Sequence, residues 1–154
     1  MGTKTKLVLG GCLLLIALII SYRVYAPLSI QNFNAVNLKN IKDIENKLDN
    51  KEDSFSFAIV GNIENSITIF DKKILNKLKK DKVDFILSTG NNVVDSGEGK
   101  YRVLYRTLSR MKTPFVTGVG DNEVEEEGYE NFYKYFGPFY FSFHSDNAYF
   151  IFLD

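Results

Sequence analysis

The chain has 154 residues, enough for one domain with extensions, and its 19 Lys+Arg balance its 19 Asp+Glu. Zero net charge leaves no global basic footprint, so nucleic acid is excluded as an expected partner. A single cysteine, Cys12, and a single histidine, His144, exclude a disulfide framework, a thiolate metal site and a centre built mainly on imidazoles.

In chain order, Lys4 and Lys6 precede an uncharged run from Leu7 to Tyr22 that Arg23 closes. At about 1.5 Å per residue this run is shorter than a hydrocarbon core. Snorkelling of Lys6 and Arg23 extends its effective span. Residues 1–25 are therefore expected to be a signal-anchor, a transmembrane helix that meets the membrane through residues 7–22. The two lysines favour a cytoplasmic N-terminus and an exported body, periplasmic or extracellular. Two alternatives stay open: cleavage after Ala26, which Pro27 opposes, and acylation of Cys12 in Leu9-Gly10-Gly11-Cys12, which has almost no apolar core before it. Residues 26–53 are a linker or stalk, where Ile41, Ile44 and Leu48 at helical spacing suggest a short helix and the polar composition a flexible tether.

Composition shifts near Ser54, and residues 54–154 are the expected domain. Phe55, Phe57, Ile59 and Val60 predict a buried strand. Asn65 or Ser66 is placed to cap a helix with Ile67, Phe70, Ile74 and Leu78 on its apolar face. Lys72, Lys73, Lys77, Lys79 and Lys80 crowd its remaining surface and suit the negative helix end. Val83 to Leu87 is a second strand. Tyr101, Leu104, Tyr105, Leu108 and Met111 mark a second amphipathic helix, with Arg102, Arg106 and Arg110 on an outward stripe. Pro114 opens a third strand that runs to Thr117. A last helix is expected from Glu123 to Phe136, its early acids at the positive end of the dipole. Gly137-Pro138 ends it, and Phe139 to Phe143 and Ala148 to Leu153 alternate as an antiparallel hairpin.

This order predicts an α/β sheet with right-handed crossovers. The final apolar strand needs a neighbour, either a missing C-terminal half or a second copy through self-association. Three strands end in glycine turns: Gly61-Asn62, Gly90-Asn91 and Gly118-Val119-Gly120-Asp121. In open α/β folds the carboxyl edge of the sheet is where ligands bind. Gly118-Val119-Gly120 lacks the third glycine of a dinucleotide loop, and the acids from Asp121 to Glu127 fit a helix start better than a calcium loop.

From Phe55 to Asp154 the chain resembles the first half of a calcineurin-like metallophosphoesterase, in its purple-acid-phosphatase-like branch. Gly61-Asn62-Ile63-Glu64 stands where that family has Gly-Asp-x-His, Gly90-Asn91 where it has Gly-Asp, and Gly120-Asp121-Asn122-Glu123 where it has Gly-Asn-His-Glu. Phe136-Gly137-Pro138-Phe139-Tyr140-Phe141 and Asn147 to Asp154 also look like segments after its third motif. The resemblance implies the N-terminal half of an αββα sandwich. It further implies hydrolysis of phosphate esters by two divalent ions (Fe, Mn or Zn) about 4 Å apart, with a metal-bound hydroxide as nucleophile. At the family's metal positions stand Asn62, Glu64, Asn91 and Asp121, and at its catalytic histidine stands Asn122. An amide neither replaces a bridging carboxylate nor protonates a leaving group near neutral pH. The family's later histidines would lie beyond Asp154. The expectation is a truncated domain, catalytically silent and without a cofactor: a membrane-anchored pseudoenzyme. Glu64 and Asp121 leave open a single Mg²⁺ or Ca²⁺ held among waters, or no ligand at all. Another class of function, an anchored binding module using the same sheet edge, also stays open.

Overall fold

Two units make up the chain in the computed structural model, Met1–Asn32 and Phe33–Asp154. It describes residues 3–25, 35–49, 54–126, 128–145 and 148–153. Both ends of the expected linker (26–34 and 50–53) and the hairpin turn at Asp146-Asn147 lie outside these residues.

The described residues of the first unit form one helix, α1 (Thr3–Tyr25). Leu13, Leu14, Leu15, Ile16, Leu18, Ile19 and Ile20 are each more than half exposed. At 100° per residue, such a run circles the whole helix, so α1 has no polar face along it. Among the described residues, no helix is long and apolar enough to cross a membrane. The side chains described in α1 run only from Gly10 to Ser21, a rise of about 18 Å.

The second unit is mixed α/β. In order it contains α2 (Val36–Leu48), β1 (Phe57–Val60), α3 (Ile67–Ile69), a π-helical segment (Phe70–Ile74), α4 (Leu75–Asp81) and β2 (Phe85–Ser88). Then come α5 (Glu98–Leu108), β3 (Phe115–Thr117), α6 (Asp121–Val124), α7 (Gly128–Phe136), β4 (Phe141–Ser145) and β5 (Ala148–Phe152). The first three strands form a parallel sheet ordered β1-β2-β3, and β4 and β5 form a separate antiparallel hairpin.

Alternation along the strands separates two cores. Ile86 and Phe115 face a helical layer with Phe70, Leu75, Leu104 and Phe132. Phe85, Leu87 and Val116 point the other way, toward Phe143, Phe150 and Phe152 of the hairpin. That second interface is largely aromatic. Phe85 stacks on Phe57 at 5.3 Å and meets Phe150 edge-on at 5.5 Å, while Phe143 stacks on Phe150 at 4.8 Å. Such pairs add about 0.5–1.5 kcal/mol beyond area burial.

The stalk helix forms, but it is part of the body. Ile41, Ile44 and Leu48 enter the aromatic core, so the compact unit begins at Phe33 and not near Ser54. Its polar face does equal service. The Asn37 amide donates to the Thr117 carbonyl (2.8 Å) and accepts from the Thr117 N–H (2.9 Å). Asn40 donates to the Phe115 carbonyl at 2.7 Å. These are outward-facing backbone groups of the edge strand β3, which in a wider sheet a fourth strand would satisfy.

Two expected helices differ in detail. The helix after β1 contains a widened turn in which the Leu75 N–H bonds the Phe70 carbonyl, five residues back. This extra residue shifts the helix phase: Leu75 is 3 % exposed and Ile74 39 %. Asn65 does not cap this helix. Its amide accepts from the Val94 N–H and donates to the Lys100 carbonyl. The single helix expected from Glu123 to Phe136 is two, α6 and α7, with Glu125 and Glu126 out of helical conformation between them.

Candidate functional site

The parallel register sets Val60 beside Ser88 and Ser88 beside Thr117. The loops after β1, β2 and β3 therefore leave the sheet at one level, on its carboxyl edge. Backbone hydrogen bonds lace the first two together: Asn62 N–H to the Gly90 carbonyl (3.1 Å), Glu64 N–H to Asn91 (3.1 Å) and Asn65 N–H to Asn92 (2.9 Å). Asn62, Glu64, Asn65 and Asn91 are left-handed, with φ between 48° and 54°. Asn tolerates that region better than most residues, and the lacing offsets the cost at Glu64.

Glycine is demanded where the second and third loops touch. A Cβ on Gly90 would sit 2.5 Å from the Gly120 nitrogen, and its φ is +103°. A Cβ on Gly120 would likewise meet the backbone nitrogen and side-chain oxygen of Asn91. No side chain fits between them.

The centre of the edge is Glu123, 1 % exposed. One carboxylate oxygen accepts from the N–H groups of Asn92 (2.5 Å) and Val93 (3.3 Å), the other from those of Asn91 (2.7 Å) and Gly120 (2.9 Å). Charge-assisted bonds of this kind are among the stronger ones in proteins. Glu123 thus ties the second loop to the third from a buried position, while its bond to the Gly120 N–H keeps it at the start of α6, where the sequence placed it. The Tyr101 hydroxyl donates to the Glu123 carbonyl at 2.6 Å. Burial first, then the nearby Glu123 charge, hold the Tyr101 hydroxyl far above its ordinary range, so it stays a neutral donor.

Beneath the loops lies a fully bonded polar chain. The Ser88 hydroxyl donates to the Asn92 side-chain oxygen (2.6 Å), whose amide nitrogen donates to the Thr117 hydroxyl (2.7 Å), which donates to the Gly118 carbonyl (2.7 Å). Asn37 continues the chain at the Thr117 backbone. Hydrophobic periodicity could not reveal these buried polar residues. The only signal was Glu123 three places after a strand-ending Gly120, the spacing at which a side chain reaches back to its helix start.

The five expected site residues divide into two groups. Asn62, Glu64 and Asp121 are exposed, while Asn91 and Asn122 are half-buried. The Asn91 side-chain oxygen accepts from the Asn122 N–H (3.1 Å), and the Asn122 amide donates to the Val93 carbonyl (3.0 Å). The oxygen that would have to bridge two cations is thus turned onto backbone. Among the described residues, no three His, Cys, Asp or Glu side chains gather as a metal group. This donor set does not fit a two-ion centre, which needs anionic bridging ligands to offset four positive charges. His144 is far from this role: it sits exposed on β4, 4.0 Å from Glu45 and beside Tyr149.

Chemically, the edge offers two exposed carboxylates and several amides on a rigid backbone, with no imidazole beside them. No protein-family model, curated protein or solved structure matches the chain.

Proposed function

We propose that this chain is a membrane-anchored, catalytically silent domain of the calcineurin-like metallophosphoesterase type, corresponding to the N-terminal half of its αββα sandwich. One observation carries the reading: three parallel strands end level in glycine loops that a buried acid, Glu123, ties together, while the amides Asn62 and Asn91 stand at two of the four metal positions and Asn122 at that of the catalytic histidine. A helical layer on one sheet face and a hairpin on the other are also what half of such a sandwich would present. The lipid-anchoring part rests on α1, whose described apolar side chains face every direction.

The family's hydrolysis of phosphate esters is not expected of the isolated chain. Asn91 and Asn122 already bond neighbouring backbone, which favours a second reading in which the edge holds a partner without chemistry. Metal analysis of the purified full chain, together with an assay on an activated aryl phosphate, tests both. The expected result is less than one tightly bound transition metal per chain and no metal-dependent turnover. Two bound ions with hydrolysis would overturn silence and leave the fold assignment standing.

A further inference from the structure

We infer that a cleft between α4 and the segment following α5 binds a phosphate-bearing anion. α4 leads into β2 and the post-α5 segment into β3, so this cleft lies at the amino-terminal edge of the sheet, away from the glycine loops. It encloses about 370 Å³ and is lined by Lys79 from α4 and by Arg110 and Lys112 beyond α5, with Asp71 the only acid on its wall among the described residues. Two positive charges therefore remain uncompensated there.

The π-helical turn creates this arrangement. Because Leu75 and not Ile74 faces inward, Asp71 and Lys79, four residues before and after it, fall on the cleft side. Lys79 thereby meets cations from another element.

The ordinary explanation for cations at helix ends is that they serve the last carbonyls. Here several of those carbonyls have backbone partners. Lys82 N–H and Val83 N–H take the Leu78 and Lys79 carbonyls of α4, while the Ser109, Arg110 and Met111 N–H groups take Tyr105, Thr107 and Leu108 of α5. Among the described residues, Lys79, Arg110 and Lys112 have neither a hydrogen bond nor an ion pair through their side chains. Four cations elsewhere do pair, Lys47 with Asp84, Lys100 with Asp95, and Arg102 and Lys134 with Glu98.

A guanidinium fork and two ammonium groups around an open, partly apolar cleft match the several oxygens of a phosphate group. The phosphate could belong to a soluble polyphosphate or to a lipid headgroup. Lys72, Lys73, Lys77 and Lys80 stand nearby in sequence, outside the lining, and add to the local positive potential.

The test uses the full chain in neutral detergent micelles, followed by amide NMR. One arm titrates sodium tripolyphosphate and the other dopes dihexanoyl phosphatidate into the micelles. Saturable shifts at Thr107, Met111 and Lys112 are expected in at least one arm. A response to phosphatidate alone assigns the headgroup, and a response to tripolyphosphate assigns the soluble anion. The triple variant Lys79→Ala/Arg110→Ala/Lys112→Ala should weaken binding by about ten-fold or more, the size expected from losing several charge contacts at once. The control Lys72→Ala/Lys73→Ala/Lys77→Ala removes the same charge outside the cleft and should stay within about two-fold on the same scale. If the cleft variant does not fold, Arg110→Gln carries the comparison. Equal weakening in both triples would overturn the cleft in favour of diffuse charge, and absence of saturable binding in both arms would overturn it outright.

Discussion

Glu123 joins two loops that the sheet alone would leave apart, since it is the common acceptor for N–H groups of Asn91, Asn92, Val93 and Gly120. Glu123→Gln keeps one acceptor oxygen but turns a donor amide toward two N–H groups. Unfolding in urea should show a loss of about 2–4 kcal/mol, as for other buried charged hydrogen bonds. A loss under about 0.5 kcal/mol, typical of surface changes, would show that the loops hold without it. A second acid acts at the surface. Glu98 bonds Lys134 (2.8 Å) and Arg102 (3.0 Å). Lys134 first, then Arg102, bring its pKa down from 4.5 to about 2. The linked stability is complete above about pH 4.5 and is lost as pH falls toward 2. The stability difference between wild type and Glu98→Gln should therefore be constant from pH 5 to 7 and shrink below pH 4.5. A difference that stays level down to pH 2.5 would contradict the pairing.

At the scale of elements, the helix after β1 offers a direct test of phase. Regular α-helical spacing from Phe70 puts Ile74 inside, whereas the π turn puts Leu75 there. Leu75→Ala should cost about 2–5 kcal/mol as a core truncation. Ile74→Ala should cost much less, and thermal melts of the two variants distinguish the phases. Most elements were legible in the residues. Apolar runs marked the three parallel strands and the hairpin, and the spacing of Tyr101, Leu104 and Leu108 marked α5. An inserted π residue was not legible, because it changes the period without changing the composition. Nor was the break between α6 and α7, where Glu123 is drawn inward by loop donors that lie thirty residues away. The candidate site was legible as a place, from three glycine turns. Its hydrogen bonds were not, because a sequence pattern does not tell whether Asn91 and Asn122 face a ligand or the backbone.

For the whole molecule, edges decide behaviour. Among the described residues, β1 lies at one side of the parallel sheet, and β5 pairs only with β4. Ile59, Tyr149, Ile151 and Leu153 are each more than 60 % exposed near these strands. Unpaired apolar edges recruit further strands, so the full chain in detergent should associate with rising concentration. Ile151→Lys should oppose this, with sedimentation velocity as the readout. A monomer at all concentrations would remove the edge as an association surface. The opposite side of the sheet differs in when it is closed. Asn37 and Asn40 precede the β3 groups that they bond by 80 and 75 residues. At 5–20 residues per second of synthesis, α2 emerges from the ribosome roughly 4–16 s before β3 does. The cover for that edge is thus waiting when the strand emerges, and a nascent chain never displays β3 to its neighbours without a competitor already attached to the same polypeptide.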